Sequence, residues 1–96
     1  MLADPYSISI LIGGYLIHLD KKSVKLLDKF NVYVKVERRK SGTLRKRVMA
    51  YAKGIKNHER VMIAFKKLII DCGLKDEVEH INGNELDLRK SNLSVK

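Results

Sequence analysis

Residues 32–53 carry the feature that most limits how this chain can fold, an alternation of side-chain types on both sides of a turn. One set is aliphatic: Val32, Val34, Val36, Val48, Ala50 and Ala52. The interleaved set is mostly cationic or aromatic: Tyr33, Lys35, Arg39, Arg45, Arg47, Tyr51 and Lys53. Successive side chains of a strand point to opposite faces, and Lys40-Ser41-Gly42-Thr43 is typical of a turn. The pattern therefore predicts a β-hairpin with one apolar face and one cationic face.

The cationic face predicts a polyanionic partner. The stretch from Lys35 to Arg60 contains ten Lys or Arg and two Glu, which accounts for +8 of the net charge of +9. Lys and Arg neutralise phosphates, Arg also bonds to guanine edges, and Tyr stacks on bases. We therefore expect the seven residues of the interleaved set to bind nucleic acid, above all duplex DNA, because a two-stranded ribbon fits the major groove. The alternative is a sheet edge that is charged to prevent aggregation.

Shorter patterns predict the elements that precede this hairpin. Apolar residues alternate on both sides of Gly13-Gly14, which indicates another hairpin with a two-residue turn. His18 lies in the second of these strands, where we expect a satisfied or exposed strand histidine rather than a ligand. Asp20 is positioned to cap a helix that runs from Lys21 to about Lys29.

The stretch from Val61 to Cys72 admits two interpretations. Its apolar residues have helical spacing, and Gly73 would then cap the C-terminal end of the helix. Residues 60–64 are also rich enough in β-branched side chains to form a strand, with the helix beginning near Phe65. The spacing favours a helix over the second half and leaves the first half open.

Length and composition predict one small domain. With 96 residues, we expect a single α+β domain with β-hairpins and two short helices. Residues 1–57 would form the N-terminal hairpin, the first helix and the basic hairpin, and residues 58–96 the second helix and a terminal motif. The single cysteine, Cys72, cannot form an internal disulfide, which indicates a reducing, cytoplasmic location. No apolar run is long enough to span a bilayer, and we expect neither a membrane partner nor a small-molecule substrate.

The last twenty residues combine side chains suited to the hydrolysis of a phosphodiester. Glu79 can bind a hard cation, and His80 can take a proton from water near neutral pH. The side-chain carbonyl of Asn92 can hold an imidazole in one tautomer. Adjacent strand residues face opposite ways, so Glu79 and His80 need a local bend in order to act together.

A second interpretation makes the same segment a folding unit only. Asn82-Gly83 would form a turn, and Asp87 and Asn92 would bond main-chain groups. Four apolar side chains would pack: Val78, Ile81, Leu86 and Leu93.

The order of residues in this segment resembles the HNH nuclease signature, in which Asp-His-Ile-Asn-Gly-Asn leads into Leu-Asp-Asn-Arg and ends on Asn-Leu. The matching string here is Val-Glu-His-Ile-Asn-Gly-Asn, then Leu-Asp, then Arg-Lys-Ser-Asn-Leu. The glycine hairpin and short helix of residues 10–30 resemble the opening of phage-type HNH proteins, and the basic hairpin resembles the DNA-binding sheet often attached to them. The resemblance implies that His80 is the general base, Glu79 a metal ligand and Asn92 the residue that orients the imidazole.

The chain departs from that family at four places. Glu79 replaces the usual Asp, Lys66 stands where the family has an upstream histidine, and Leu88 replaces the Asn of Leu-Asp-Asn. The family's ββα-metal unit continues into a helix that carries a second metal ligand, whereas only Ser94-Val95-Lys96 follow the motif here. We therefore expect a partial ββα-metal segment that lacks the final helix. We expect no cofactor, or weakly bound Mg²⁺ if the protein is active.

Three functions are compatible with these patterns. The first is a nucleic-acid-binding protein derived from a phage HNH endonuclease, with little or no cleavage. The second is a phage-encoded, anti-defence type of inhibitor that docks on a host nucleoprotein machine, such as a defence nuclease or a polymerase. The third is an active, metal-dependent HNH nickase or homing endonuclease. We expect the first of these, in the cytoplasm of a bacterial host.

Overall fold

A computed structural model describes residues 6–56, 59–73 and 75–96. Within these ranges the chain forms the predicted small α+β fold, and no helix has the length and apolar character needed to cross a bilayer. The elements are β1 (Ser7–Ile12), β2 (Tyr15–Asp20), a 3₁₀ helix (Lys21–Asp28), β3 (Phe30–Arg38), β4 (Leu44–Ala52), β5 (Ile63–Ala64), α1 (Phe65–Ile70), β6 (Val78–His80), a short 3₁₀ turn (Lys90–Asn92) and β7 (Leu93–Val95). The antiparallel pairs are β1 with β2, β3 with β4, β4 with β5, and β6 with β7.

The predicted central hairpin is confirmed. β3 and β4 pair over nine residues each, with Val34 opposite Val48 and Lys35 opposite Arg47. Directly opposed residues share a face, so the aliphatic and cationic sets lie on opposite sides of the hairpin. The aliphatic side faces the core, where Val48 and Ala50 are buried.

The predicted first hairpin is also confirmed, and its turn depends on glycine. Gly13 and Gly14 both have positive φ, 57° and 87°, which non-glycine residues adopt at a steric cost. The expected cap at Asp20 is wrong. Its side chain does not bond to the start of the 3₁₀ helix, and instead accepts a hydrogen bond from the main-chain N–H of Lys90 at 2.8 Å. A distant part of the chain therefore uses the carboxylate that the local pattern assigned to the helix.

The strand-then-helix interpretation of residues 61–72 is confirmed. β5 pairs with β4 opposite Met49 and Ala50, and α1 begins directly after it at Phe65. Pairing with the sheet thus overrides the helical spacing of the first half. The expected cap at Gly73 is wrong, because α1 already ends at Ile70 and its C-cap is Asp71, which has the left-handed φ of 57° that Asp tolerates.

The C-terminal segment adds to the open edge of the first hairpin. The main-chain N–H of His18 donates to the carbonyl of Leu86 at 2.9 Å, and the N–H of Leu88 donates to the carbonyl of His18 at 2.8 Å. Leu88 is 1% exposed and joins Ile17 and Phe65 in the core. The expected packing of Ile81 is wrong, because this side chain is 66% exposed beside the turn.

Candidate functional site

The site begins at the outer edge of β4, which β5 covers only in part. Nearer the hairpin turn, the main-chain N–H of Lys46 donates to the Glu85 carboxylate at 2.6 Å. The same carboxylate accepts a hydrogen bond from the guanidinium of Arg39 at 3.0 Å. Glu85 therefore ties the loop that follows β6 to the edge of the basic hairpin.

This attachment brings the terminal motif against the cationic hairpin. A hollow of about 50 Å³ lies between them, and we call five of its lining residues the cationic hollow: Arg45, Arg47, Lys66, His80 and Glu85. Arg45 and Arg47 come from β4, Lys66 from α1 and His80 from β6. The sequence pattern placed the arginines and the histidine in two separate sites, whereas the structure brings them together in one.

His80 is held in one orientation by a main-chain carbonyl. Its Nδ1 lies 3.2 Å from the main-chain oxygen of Asp87. A carbonyl only accepts hydrogen bonds, so Nδ1 carries the proton and Nε2 keeps its lone pair in the neutral ring. Burial is the main cause that lowers the pKa of His80, and Lys66 adds to it, whereas the Asp87 carbonyl and Glu85 raise it. The imidazole is therefore neutral near pH 7 and has a basic nitrogen available.

The HNH resemblance implies that Asn92 bonds to the imidazole itself. Here Asn92 bonds to the main-chain carbonyl that holds the imidazole. Its side chain is buried, with its carbonyl accepting from the main-chain N–H of Asn82 at 2.9 Å. Its amide donates to the Asn82 side chain at 2.9 Å and to the Asp87 carbonyl at 3.0 Å. The orienting role assigned to Asn92 therefore belongs to the Asp87 carbonyl, which Asn92 holds in place.

The Asp87 carboxylate organises the same loop from the inside. The residue is 2% exposed and receives hydrogen bonds from the Arg89 guanidinium at 2.7 and 2.8 Å. The Asn82 amide donates to it at 3.0 Å, and the Arg89 main-chain N–H at 3.3 Å. These bonds, led by the Arg89 side chain, lower the pKa of Asp87 against the effect of burial. The predicted bonding of Asp87 and Asn92 to main-chain groups is thus confirmed.

Glu79, the metal ligand that the resemblance implies, is the neighbour of His80 on β6. β6 pairs regularly with β7, so adjacent side chains leave the strand on opposite faces. The Glu79 side chain is 52% exposed and lies 3.9 Å from the Lys96 ammonium. Over the three described ranges, no group of three or more His, Cys, Asp and Glu side chains is arranged to hold a metal ion. Three cations line the same space as His80 and repel Mg²⁺: Arg45, Arg47 and Lys66. The carboxylates of Glu79 and Glu85 are paired with Lys96 and Arg39, so the residues present do not fit the metal that the resemblance implies.

Five of the seven predicted nucleic-acid-binding residues share the cationic face by their strand register: Tyr33, Lys35, Arg45, Arg47 and Tyr51. Arg39 is drawn to Glu85, and Lys53 lies beyond the end of β4, where its main-chain N–H donates to the Lys29 carbonyl. Glu37 stands among the cations of this face, 3.1 Å from the Lys35 ammonium. That hydrogen bond is the main cause that lowers the pKa of Glu37.

Two residues of the site, Arg60 and Lys66, were not predicted as site residues from the sequence patterns. The guanidinium of Arg60 lies 4.3 Å from the ring centroid of Tyr51, which is itself 6.1 Å from the ring of Tyr33. Arg60 belongs to no alternating run, so no periodicity could assign it. Lys66 had one signal, its position at the upstream histidine of the HNH pattern. Its pKa is lowered mainly by burial, then by Arg45 and Arg47.

No protein family, curated protein or solved structure matches this chain. The resemblance to HNH nucleases thus remains one of sequence motif, and the geometry above is what supports a function.

Proposed function

We propose that this protein binds duplex nucleic acid, and DNA in particular, through the cationic face of its central hairpin, with little or no cleavage. The observation that carries the proposal is the convergence of Arg45, Arg47 and Lys66 on one hollow at the edge of that face. Three cations from two elements gathered at one place create a positive potential that attracts phosphates. The HNH-like origin remains part of this proposal, as an ancestry in which the basic sheet is kept and the metal site is not.

The rest of the face is suited to the same ligand. Lys35 and Arg47 share one acidic partner, Glu37, so the pair keeps a net positive charge. The Arg60 guanidinium stacked on Tyr51 adds a cation that is held at a fixed position. Because one face of the Tyr51 ring is covered by Arg60, Tyr51 serves as a support for that cation rather than as a platform for bases.

The test is charge reversal with a matched control. Arg45→Glu with Arg47→Glu should weaken binding to a duplex and make the slope of log K against log salt shallower by about 2, because two phosphate contacts are lost. The control is Lys22→Glu with Lys25→Glu, which changes the net charge equally on the exposed side of the 3₁₀ helix. Equal losses in both double variants would mean that overall charge, and not this face, binds the duplex.

A second candidate is cleavage, favoured by the fixed imidazole of His80. Its Nε2 keeps a lone pair in the neutral ring because Nδ1 donates to the Asp87 carbonyl. Such a nitrogen can take a proton from a nucleophile next to a bound phosphate. Supercoiled plasmid incubated with parent protein and with His80→Ala, in Mg²⁺ or in EDTA, tests this role. Nicking by the parent alone would establish an enzyme, whereas its absence at high protein concentration would leave binding as the function.

A further inference from the structure

The cationic hollow has an unusual balance of charge for a site that resembles a metal centre. Arg45, Arg47 and Lys66 line it, and Glu85 is the acidic residue in its lining. The carboxylate of Glu85 is already engaged, with the Lys46 N–H at 2.6 Å and the Arg39 guanidinium at 3.0 Å. Glu85 supplies one negative charge, which it shares with Arg39, so the three cations leave the hollow with a net positive charge.

The donors that face this space are the wrong kind for a divalent cation and the right kind for an oxyanion. Mg²⁺ is held by carboxylate oxygens, and the carboxylates of Glu85 and Glu79 are already paired with Arg39 and Lys96. Phosphate oxygens are bound by Arg and Lys through charge-assisted hydrogen bonds. A neutral His80 with a fixed Nδ1 proton can accept a hydrogen bond from a protonated phosphate, or donate one when it is itself protonated.

The position of Lys66 strengthens the case. Within the described ranges its ammonium makes no hydrogen bond or ion pair, although the residue is half-buried on α1. Burial and then the neighbouring arginines lower its pKa, and the opposing effect of Glu85 does not cancel them, so like charges outweigh the acidic one around this ammonium. An anion in the hollow would relieve that repulsion.

We propose that the cationic hollow is a phosphate subsite, which binds one backbone phosphate of the nucleic acid at the place where the HNH resemblance puts a divalent cation. This inference rests on the proposed function and deepens it, because it assigns Lys66 as the residue that anchors the phosphate. Arg45 and Arg47 bind the same group from the hairpin side. Glu85 positions the loop and does not touch the ligand.

The experiment uses inorganic phosphate as the probe and records amide chemical shifts of the whole chain by NMR. Phosphate should shift the signals of Lys66 and His80 with saturation, and Lys66→Met should weaken this binding at least about fivefold. Lys66→Arg should restore it, which separates lost binding from lost folding. Lys22→Met, remote from the hollow, should behave as the parent does. Mn²⁺, added separately, should broaden no signal selectively.

Two results would overturn the subsite: shifts that spread over all surface cations without saturation, or selective broadening of His80 by Mn²⁺ in the parent protein. Duplex binding measured on the same variants separates this inference from the proposed function. Lys66→Met should make the salt slope shallower by about 1. If Lys66→Met leaves the salt slope unchanged while Arg45→Glu with Arg47→Glu still weakens binding, the phosphate subsite is refuted and the proposed function is not. If the protein binds phosphate with saturation but binds no duplex, the proposed function is refuted and the anion site is not.

Discussion

The imidazole of His80 and the main-chain carbonyl of Asp87 form one hydrogen bond, 3.2 Å long, that fixes both the ring and its tautomer. The two residues are seven positions apart and meet because the turn between them is closed by Asn82 and Asn92. The His80 imidazole is thereby oriented by a main-chain carbonyl. Asn92, which the motif suggested as a catalytic residue, holds that carbonyl in place.

Asn92→Ala should therefore act on stability. It removes three hydrogen bonds of a buried amide and leaves the Asn82 N–H without its partner. We expect the free energy of unfolding to fall by about 1–3 kcal/mol, measured by urea denaturation followed by circular dichroism. His80→Ala, the control, removes a single bond at the same turn and should cost less. Equal stability of Asn92→Ala and the parent would contradict the structural role.

Replacement of Glu85 should have opposite effects on folding and on binding. Glu85→Gln weakens the bonds to Lys46 and Arg39, so we expect a loss of about 1–3 kcal/mol in stability. It also removes negative charge beside the hollow, so affinity for a duplex should rise roughly twofold to fivefold. Denaturation and fluorescence anisotropy on the same preparation measure the two quantities. A fall in affinity at conditions where the variant is fully folded would be inconsistent with a site that binds an anion.

Tyr51 should contribute to stability and duplex binding through the contact of its ring with Arg60, and not through its hydroxyl. Tyr51→Phe keeps a surface for the Arg60 guanidinium, whereas Tyr51→Leu removes it. We expect Tyr51→Phe to match the parent, and Tyr51→Leu to lose about 0.5–2 kcal/mol of stability together with part of its duplex affinity. If the phenylalanine and leucine variants unfold and bind alike, Arg60 is not held by this ring.

Asp87 should make the protein sensitive to acid. Its pKa is lower in the folded state than the ordinary value of 3.8, so it contributes stability above that value and loses it as pH falls through the folded pKa. Asp87→Asn should cost about 1–3 kcal/mol near pH 7 and progressively less below pH 3.8. Urea midpoints across this range test the convergence. Asp28→Asn, at the exposed end of the 3₁₀ helix, is the control, and a constant gap between Asp87→Asn and parent would refute the linkage.

Local patterns were sufficient wherever the chain pairs with its near neighbours. The alternation of Val34 and Lys35 predicted both faces of the central hairpin, and Gly13-Gly14 predicted the turn of the first hairpin. Patterns failed where a distant segment competes for the same group. The Asp20 carboxylate accepts a hydrogen bond from Lys90 and so does not cap its helix. Local patterns could not predict this partner, which is 70 residues away.

The candidate site was predicted in parts but not as a whole. Arg45 and Arg47 followed from strand alternation, and His80 from its motif. Nothing in the spacing of these residues indicates that they meet, since their proximity depends on the bond between Glu85 and the edge of β4. Lys66 enters the hollow for a different reason: α1 directly follows β5, a strand of two residues that pairs with β4.

The two bonds between His18 and the Leu86–Leu88 stretch make the edge of the first hairpin dependent on a segment that is distant along the chain. Until Leu88 packs, that edge keeps main-chain groups without these partners, and the core around Ile17 is incomplete. Closure of so long a loop is slow and entropically costly. The first hairpin and the C-terminal segment therefore become stable together, in one cooperative step.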